Sequence, residues 1–507
     1  MLRVWTSLPM VLGIGLGACD WTSDGPGARV PARLAFSAQP TLSEAGAPLT
    51  PGVTVEVRDA FGFIVANATN PVTVMIGTNP NGGTLAGATS VAAVHGVATF
   101  ANLWIDKTGT GYTLAATASR LASTTSTPFE IRRTFVIVSA GDNHTCAVTV
   151  AGAAYCWGDN STGQLGDSTT TERHRPVVVS GGLTFATVSA GSNHTCGLTK
   201  AGTAYCWGWD RYGQLGVQIY DGDSCGSFDP CSTQPVAVSS GITFTALSAG
   251  KDHTCGVTAS GAAYCWGAND AGQLGDGTFT LRAAPAAVSG GLSFTAVSAG
   301  GTHTCGITTG GAAYCWGDNS LGQLGAGATG PQLNPTAIAG GLLFTSMAAG
   351  DHQTCGVTTV GAVYCWGDNA YGELGNGETS ASTPIAVAGT FTFGAVSAAL
   401  LHTCGVTTGG VGYCWGANGS GQLGDGFGFG PEICGPSSDV PFAMGCSRAP
   451  LPVSGGLSFA SVSAGGNHVC GVSSAGARWL YCWGDNTFGE LGDSTTVTRL
   501  IPTRVAQ

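Results

Sequence analysis

Lysine is almost missing from this sequence: three residues in 507, at Lys107, Lys200 and Lys251. Charged residues of every kind make up 9%, and the net charge is −11. A chain so poor in cations lacks the basic footprint that nucleic-acid binding requires, and anionic lipid would repel it. No long helical pattern runs through the chain. The apolar run near the N-terminus is too short to span a bilayer permanently. The recurring loop D-N-x-x-G-Q-L-G has no phosphate-binding lysine. Acidic pairs exist, but none is singled out by its surroundings. No catalytic residue, metal ligand or cofactor is assigned.

What is abundant is glycine, 83 residues of it. With so little charge, that implies short strands joined by tight turns, an all-β chain. One unit then recurs: an HTC segment followed by YCWG, with first cysteines at Cys146, Cys196, Cys255, Cys305, Cys355, Cys404 and Cys470. Each unit holds about four short strands, the content of one propeller blade. An open solenoid is the rival architecture. The chain ends favour a closed ring. The first unit, from Thr134, lacks a leading P-x-x-V segment, and Ile501-Pro502-Thr503-Arg504-Val505 at the C-terminus resembles the missing piece. The expectation is a seven-bladed β-propeller over 132–507, closed by the C-terminal strand pairing into the first blade and so hiding the sheet edges.

The nineteen cysteines divide without remainder. Cys19 stands apart. Seven pairs follow the repeat: Cys146 with Cys156, Cys196 with Cys206, Cys255 with Cys265, Cys305 with Cys315, Cys355 with Cys365, Cys404 with Cys414, and Cys470 with Cys482. Two more, Cys225 with Cys231 and Cys434 with Cys446, sit in insertions. A hairpin centred on the intervening turn sets each repeat pair face to face, within disulfide reach. The last pair is two residues wider, around Arg478-Trp479-Leu480, and an even insertion keeps side chains on the same faces. Zinc on His144, Cys146 and Cys156 is the alternative, but export and the lack of closely spaced cysteines favour disulfides.

Six histidines, at 144, 194, 253, 303, 402 and 468, precede the first cysteine by two residues; Gln353 takes that place in the fifth unit. A residue repeated in nearly every blade reads as a hydrogen-bonding element of packing, and a glutamine substitute fits hydrogen bonding better than zinc ligation. The recurring tryptophans (157, 207, 266, 316, 366, 415 and 483) read as core between blades. Calcium at the D-N-x-x-G-Q-L-G loops is the minority alternative. Calcium loops need more carboxylates at fixed spacing.

The phrases AGxxHTCGVT and YCWGxNxxGQLGDG resemble the repeats of the regulator of chromosome condensation family, whose members form seven-bladed propellers. The resemblance covers 132–507. It implies the fold strongly and the function weakly. The family's founding activity is nucleotide exchange on a small nuclear GTPase, with chromatin binding. The shared motifs are blade scaffold, so no residue of an exchange surface carries over, and that role stands here as analogy alone.

Residues 1–18 have the make-up of a secretion signal. Leu16-Gly17-Ala18-Cys19 resembles the lipobox of bacterial lipoproteins, which implies cleavage before Cys19 and acylation of that cysteine. Residues 19–28 read as a linker. Over 29–131, alternating strands such as Val53–Val57, Val72–Ile76 and Tyr112–Ala116 fit a β-sandwich. The phrases VTVEVRDAFG and GVATFANLWID resemble bacterial immunoglobulin-like domains of surface proteins, read as a stalk.

Function is expected where the repeat is interrupted. Two insertions follow GQLG, at 217–234 and 426–450, and both precede a P-x-x-V segment, so both should emerge on one face. They carry Tyr220 and Phe228, and Phe427, Phe429 and Phe442. Rigid aromatic loops make good binding anchors. The whole reads as a monomeric, lipid-anchored envelope protein. It does not catalyse a reaction, and it binds a protein or a glycan. An envelope enzyme acting on polysaccharide or peptide is the alternative.

Overall fold

The computed structural model describes residues 29–507, apart from 218–224, 226–228, 240, 378–379, 436–442 and 475–477. The chain divides into two compact units, Met1–Ile131 and Arg132–Gln507.

The described part of the first unit is all strand and turn. Arg33–Ala38, Val53–Arg58 and Val97–Phe100 form one antiparallel sheet, and Pro71–Ile76 lies between Leu114–Thr117 and Ser90–Ala92 in another. Val53, Val55 and Val57 are fully buried while the residues between them are only half-buried. That is the period-two pattern of a strand with one face in the core. Val72, Val74, Phe100, Leu114 and Ala116 complete the core.

In the second unit, seven sheets follow one another along the chain. The first consists of Phe135–Ala140, His144–Thr149, Ala154–Gly158 and Arg173–Val178, each antiparallel to the next. The same order recurs in the others. The sixth adds a fifth strand, Glu432–Cys434, beside Met444–Pro452. The second strand of each sheet is buried nearly throughout, because sheets pack against both of its faces. The recurring tryptophans are completely buried. They fill the spaces between sheets: Trp207 of the second sheet packs with Leu165 and Val179 of the first.

Two glycines in each unit are dictated by close approach. Gly158 has φ +105°, and a Cβ there would lie 2.5 Å from the Asn143 carbonyl oxygen. At Gly166, φ +67°, a Cβ would press on the Trp207 ring at 2.8 Å. Any other residue would have to strain the backbone and displace the core.

Ring closure differs from the sequence expectation. The C-terminal strand Arg499–Arg504 pairs with Leu480–Gly484 in the seventh sheet, not with the first. The first sheet is complete without it, because Arg173–Val178 is its own fourth strand. The P-x-x-V segment trails each unit instead of leading it, so no piece was missing at the start. The first and seventh sheets are joined by the same contacts that join the others. The loop after the third strand donates a backbone N–H to the fourth strand of the next sheet: Ser168 to Thr233, Gly277 to Leu333, Gly327 to Ser382, Gly377 to Arg448 and Gly426 to Leu500. From the seventh sheet, Ser494 N donates to the His174 carbonyl at 2.7 Å.

Candidate functional site

The repeated polar residues are spent on these joints. His144 Nε2 lies 2.8 Å from Thr195 Oγ1 in the next sheet, and Thr195 Oγ1 donates to the Gln164 carbonyl at 2.9 Å. Because Thr195 gives its proton to the carbonyl, its oxygen must accept from the histidine. His144 is therefore the Nε2–H tautomer. Trp207 Nε1 donates to the same Gln164 carbonyl at 2.9 Å. The arrangement repeats at His194, His253, His303 and His468. Gln353 Nε2 instead donates to the Ala399 carbonyl. His402 differs again: Val469 stands where the other sheets have threonine, and neither ring nitrogen has a partner. Burial pushes these imidazoles down to about 3 (His194, His303, His402, His468) or about 4 (His144, His253).

The cysteines pair in register, on the second and third strands of each sheet. Cys146 is bonded to Cys156 with Cα atoms 4.1 Å apart. The next sheets repeat that bond and that 4.1 Å separation, at Cys196 with Cys206, Cys255 with Cys265 and Cys305 with Cys315. Cys355 with Cys365 and Cys404 with Cys414 follow, again at 4.1 Å. The wider Cys470 with Cys482 pair has the same 4.1 Å separation, so its two extra residues lie in the turn and leave the register intact. All fourteen of these sulfurs are therefore unavailable as thiolate ligands, and the zinc alternative on His144, Cys146 and Cys156 falls away. Cys225 with Cys231 and Cys434 with Cys446 are joined within the insertions. Glu432, Cys434 and Cys446 form the one cluster of metal-ligating residue types among the described residues, and its sulfurs are already bonded to each other. The loop carboxylates are held by donors of their own loops. Asp159 accepts from Ser161 and from Gln164 Nε2, and Asp167 from Thr169 and Arg173.

What the repeat leaves variable is the two-residue turn between the first and second strands. The seven turns are Asp142-Asn143, Ser192-Asn193, Lys251-Asp252, Gly301-Thr302, Asp351-His352, Leu400-Leu401 and Gly466-Asn467. The small residues before them, such as Ala140-Gly141 and Ala349-Gly350, gather from all seven sheets around a cavity of about 110 Å³. Ser192 donates to the Asp142 carboxylate. Asp351 faces Lys251 Nζ at 3.9 Å and His352 Nε2 at 3.2 Å. Burial raises the Asp142 carboxyl and Asp351 adds to the effect, against Ser192 and Lys251. Burial also pushes Asp252 up to about 6, with Asp142, Asp270 and Asp351 adding and Lys251 opposing. This rim can take up a proton or a cationic group. No motif marked it in the sequence. The available signal was the slot between A-G and H, the position at which otherwise regular units disagree.

The insertions open on the same side. Successive strands alternate in direction, so the loop after the third strand returns to the end where the first turns into the second. Hydrogen bonds tie the two together: Asp159 N donates to the Asn143 carbonyl, Ala268 N to Asp252, and Ala417 N to Leu401. In the sixth sheet, Asn418 Nδ2 holds Asp425 Oδ1 and the Phe427 carbonyl. Phe427 and Phe429 are 66% and 78% exposed, and Ile433 is 75% exposed. The two phenylalanines, Pro431, Leu451 and Pro452 line an open cleft of about 490 Å³. Tyr220, Phe228, Phe442 and Cys19 lie outside the described residues.

Among known families, residues 101–387 match the RCC1-like domain and residues 459–490 the regulator of chromosome condensation (RCC1) repeat. The E3 ubiquitin-protein ligase HERC2 of Homo sapiens and that of Mus musculus are each 48% identical over 46 residues. That segment is 9% of this chain and 1% of the length of those relatives. Among solved structures, yeast RCC1 (Prp20) bound to Kap60 superposes with a TM-score of 0.61 at 19% identity, covering 74% of this chain and 85% of that one. Human WBSCR16 does so with a TM-score of 0.59 at 20% identity, covering 69% and 90%. Identity this low shows the shared fold alone.

Proposed function

This chain belongs to the RCC1-like domain family, whose match spans residues 101–387, and from that premise we propose that residues 132–507 form a seven-bladed propeller serving as a non-catalytic binding scaffold for a protein or a glycan. The supporting observation is the face on which the variable turns and the long insertions fall together. It carries the charged rim of Asp142, Lys251, Asp252 and Asp351 and the exposed Phe427 and Phe429. The repeated histidines, threonines and tryptophans join sheets, and the repeated cysteines close hairpins within them.

In the same reading, residues 1–18 export the chain and Cys19 anchors it to the envelope membrane. Residues 29–131 serve as an immunoglobulin-like stalk, and the protein is a monomer. Nine disulfides fit an oxidising compartment. Nucleotide exchange is not part of the proposal, because a likeness to yeast RCC1 at 19% identity carries the fold alone.

The convergent aspartates favour a second reading, an envelope hydrolase. The size of the cavity weighs against it. About 110 Å³ holds only about three or four waters, whereas sites for small organic ligands run to about 300–1,000 Å³. The test is capture of envelope partners and glycans by the full chain, by D142N/D351N and by F427A/F429A. The proposal expects the same specific ligand to be lost from one or both variants. Unchanged capture would overturn it.

A further inference from the structure

Between the third and fourth strands, five sheets place a glutamine in the buried loop (Gln164, Gln214, Gln273, Gln323, Gln422), and two place a glutamate (Glu373, Glu490). In the first, third and fourth sheets the glutamine amide is used at both ends, whereas Gln214 Nε2 has no partner. Gln164 Oε1 accepts from Thr162 N at 2.9 Å, and its Nε2 donates to Asp159 Oδ2 at 2.8 Å. Gln323 does the same with Leu321 N and Asp318 Oδ2, at 2.9 and 2.8 Å. The glutamates keep the first contact: Glu490 Oε2 accepts from Phe488 N at 2.8 Å and Glu373 Oε2 from Tyr371 N at 2.9 Å. An aspartate stands five residues earlier in both, at Asp485 and Asp368, as Asp159 and Asp318 stand before Gln164 and Gln323. Each glutamate is 1% exposed. Both aspartates bond their own turn through Oδ1, to Asn486 N and to Asn369 N, each at 2.8 Å. Asp159 and Asp318 make no such bond to the next residue, and instead accept from the residue after it.

The position matters because the same loop residue joins neighbouring sheets. The Glu490 carbonyl accepts from Trp157 Nε1 at 2.8 Å and from Thr145 Oγ1 at 2.9 Å, the contact that closes the ring. The Glu373 carbonyl accepts from Trp415 and Thr403 in the same way.

We propose that Glu490 and Glu373 are proton-dependent latches. Each carries a proton in the folded chain, which lets a carboxylic acid stand in for the amide, and its loss loosens the joint the residue serves. The charges facing them agree. Glu490 meets Asp485 and Asp159; His174, against Gly489, is paired with Glu172, and His468, which reaches the Glu490 carbonyl through Thr145, is kept neutral by burial. Glu373 meets Asp368 and the Tyr371 phenol, while Arg448 beside Gly372 is bonded to Glu432. No cation is therefore left to hold either glutamate ionised among these neighbours. Burial, then these aspartates, push Glu490 up to about 7 and Glu373 up to about 8, against the donors of the loop backbone. Both values lie above the ordinary 4.5. The stability from bound protons is complete below pH 4.5 and is lost as pH rises through 7 to 8.

The test is thermal unfolding of the full chain from pH 5 to 9, for wild type, E490Q, E373Q and the converse variant Q164E. The melting-temperature advantage of E490Q and E373Q over wild type should widen with pH, and Q164E should fall behind progressively. Between the unfolded and folded values each glutamate should contribute about a tenfold change in the unfolding equilibrium per pH unit. A protonated-carboxyl C=O band at pH 6, absent from E373Q/E490Q, is the spectroscopic counterpart. Gaps that do not change with pH in all three variants, or no such band in the wild type, would overturn the proposal.

Discussion

Trp157 Nε1 donates to the Glu490 carbonyl oxygen at 2.8 Å, across 333 residues of sequence. The ring thus closes through a side chain and a loop, by the bond that also joins Trp207 to Gln164 and Trp316 to Gln273. No strand is exchanged between the chain ends. Trp157→Phe should therefore destabilise the fold by about 1–3 kcal/mol, from a buried carbonyl that keeps one donor instead of two and from lost ring volume. Denaturant unfolding checks this. Trp316→Phe, far from the closure, should cost a similar amount.

The joint between the sixth and seventh sheets is incomplete. His402 has no partner on either ring nitrogen, and Val469 fills the threonine position. Val469→Thr should stabilise the protein by about 1 kcal/mol, by giving His402 Nε2–H an acceptor and the Gln422 carbonyl a second donor. A lower denaturation midpoint for V469T would contradict the relay.

Acid should unfold the second unit through its histidines. Their folded values of about 3 to 4 lie below the ordinary 6.5. Stability is therefore intact above pH 6.5 and is lost as pH falls towards 4, while the unfolded chain takes up protons that the folded chain excludes. His402→Gln copies the residue the fifth sheet already uses at Gln353. It should move the acid-unfolding midpoint to lower pH with little effect at pH 7.

Each hairpin disulfide closes a short loop within one sheet. Replacing Cys305 and Cys315 with serine should cost about 2–3 kcal/mol by the chain-entropy estimate. The midpoint of guanidinium unfolding under non-reducing conditions measures it. Loss of the sixth-sheet insertion disulfide, Cys434–Cys446, should instead affect the Phe427–Phe429 loop more than global stability.

The scaffold was legible in the sequence because its chemistry repeats. Seven C…YCWG units, five of them opening on HTC, exposed the cysteine pairing, the packing role of His144 and its equivalents, and the buried tryptophans. The phase of the repeat was not legible. A P-x-x-V segment between two units can complete either neighbour, and only strand pairing assigns Arg173–Val178 to the unit before it. The rim was hidden for a different reason. Asp142, Lys251 and Asp351 are more than 100 residues apart in places and look like noise in a turn, until the ring brings the turns together. Glu373 and Glu490 differ from glutamine by one atom, and their meaning rests on burial that the sequence does not display.

The scarcity of lysine supplies a direct test of the binding face. Lys251 stands on the rim, Lys200 at the end of the second strand on the opposite side of its sheet, and Lys107 in the first unit. All three are exposed. Cross-linking with an amine-specific reagent, read by mass spectrometry on the full chain with a captured ligand protein, reports which region is in contact. The account predicts links through Lys251. Links through Lys200, with none through Lys251, would contradict it.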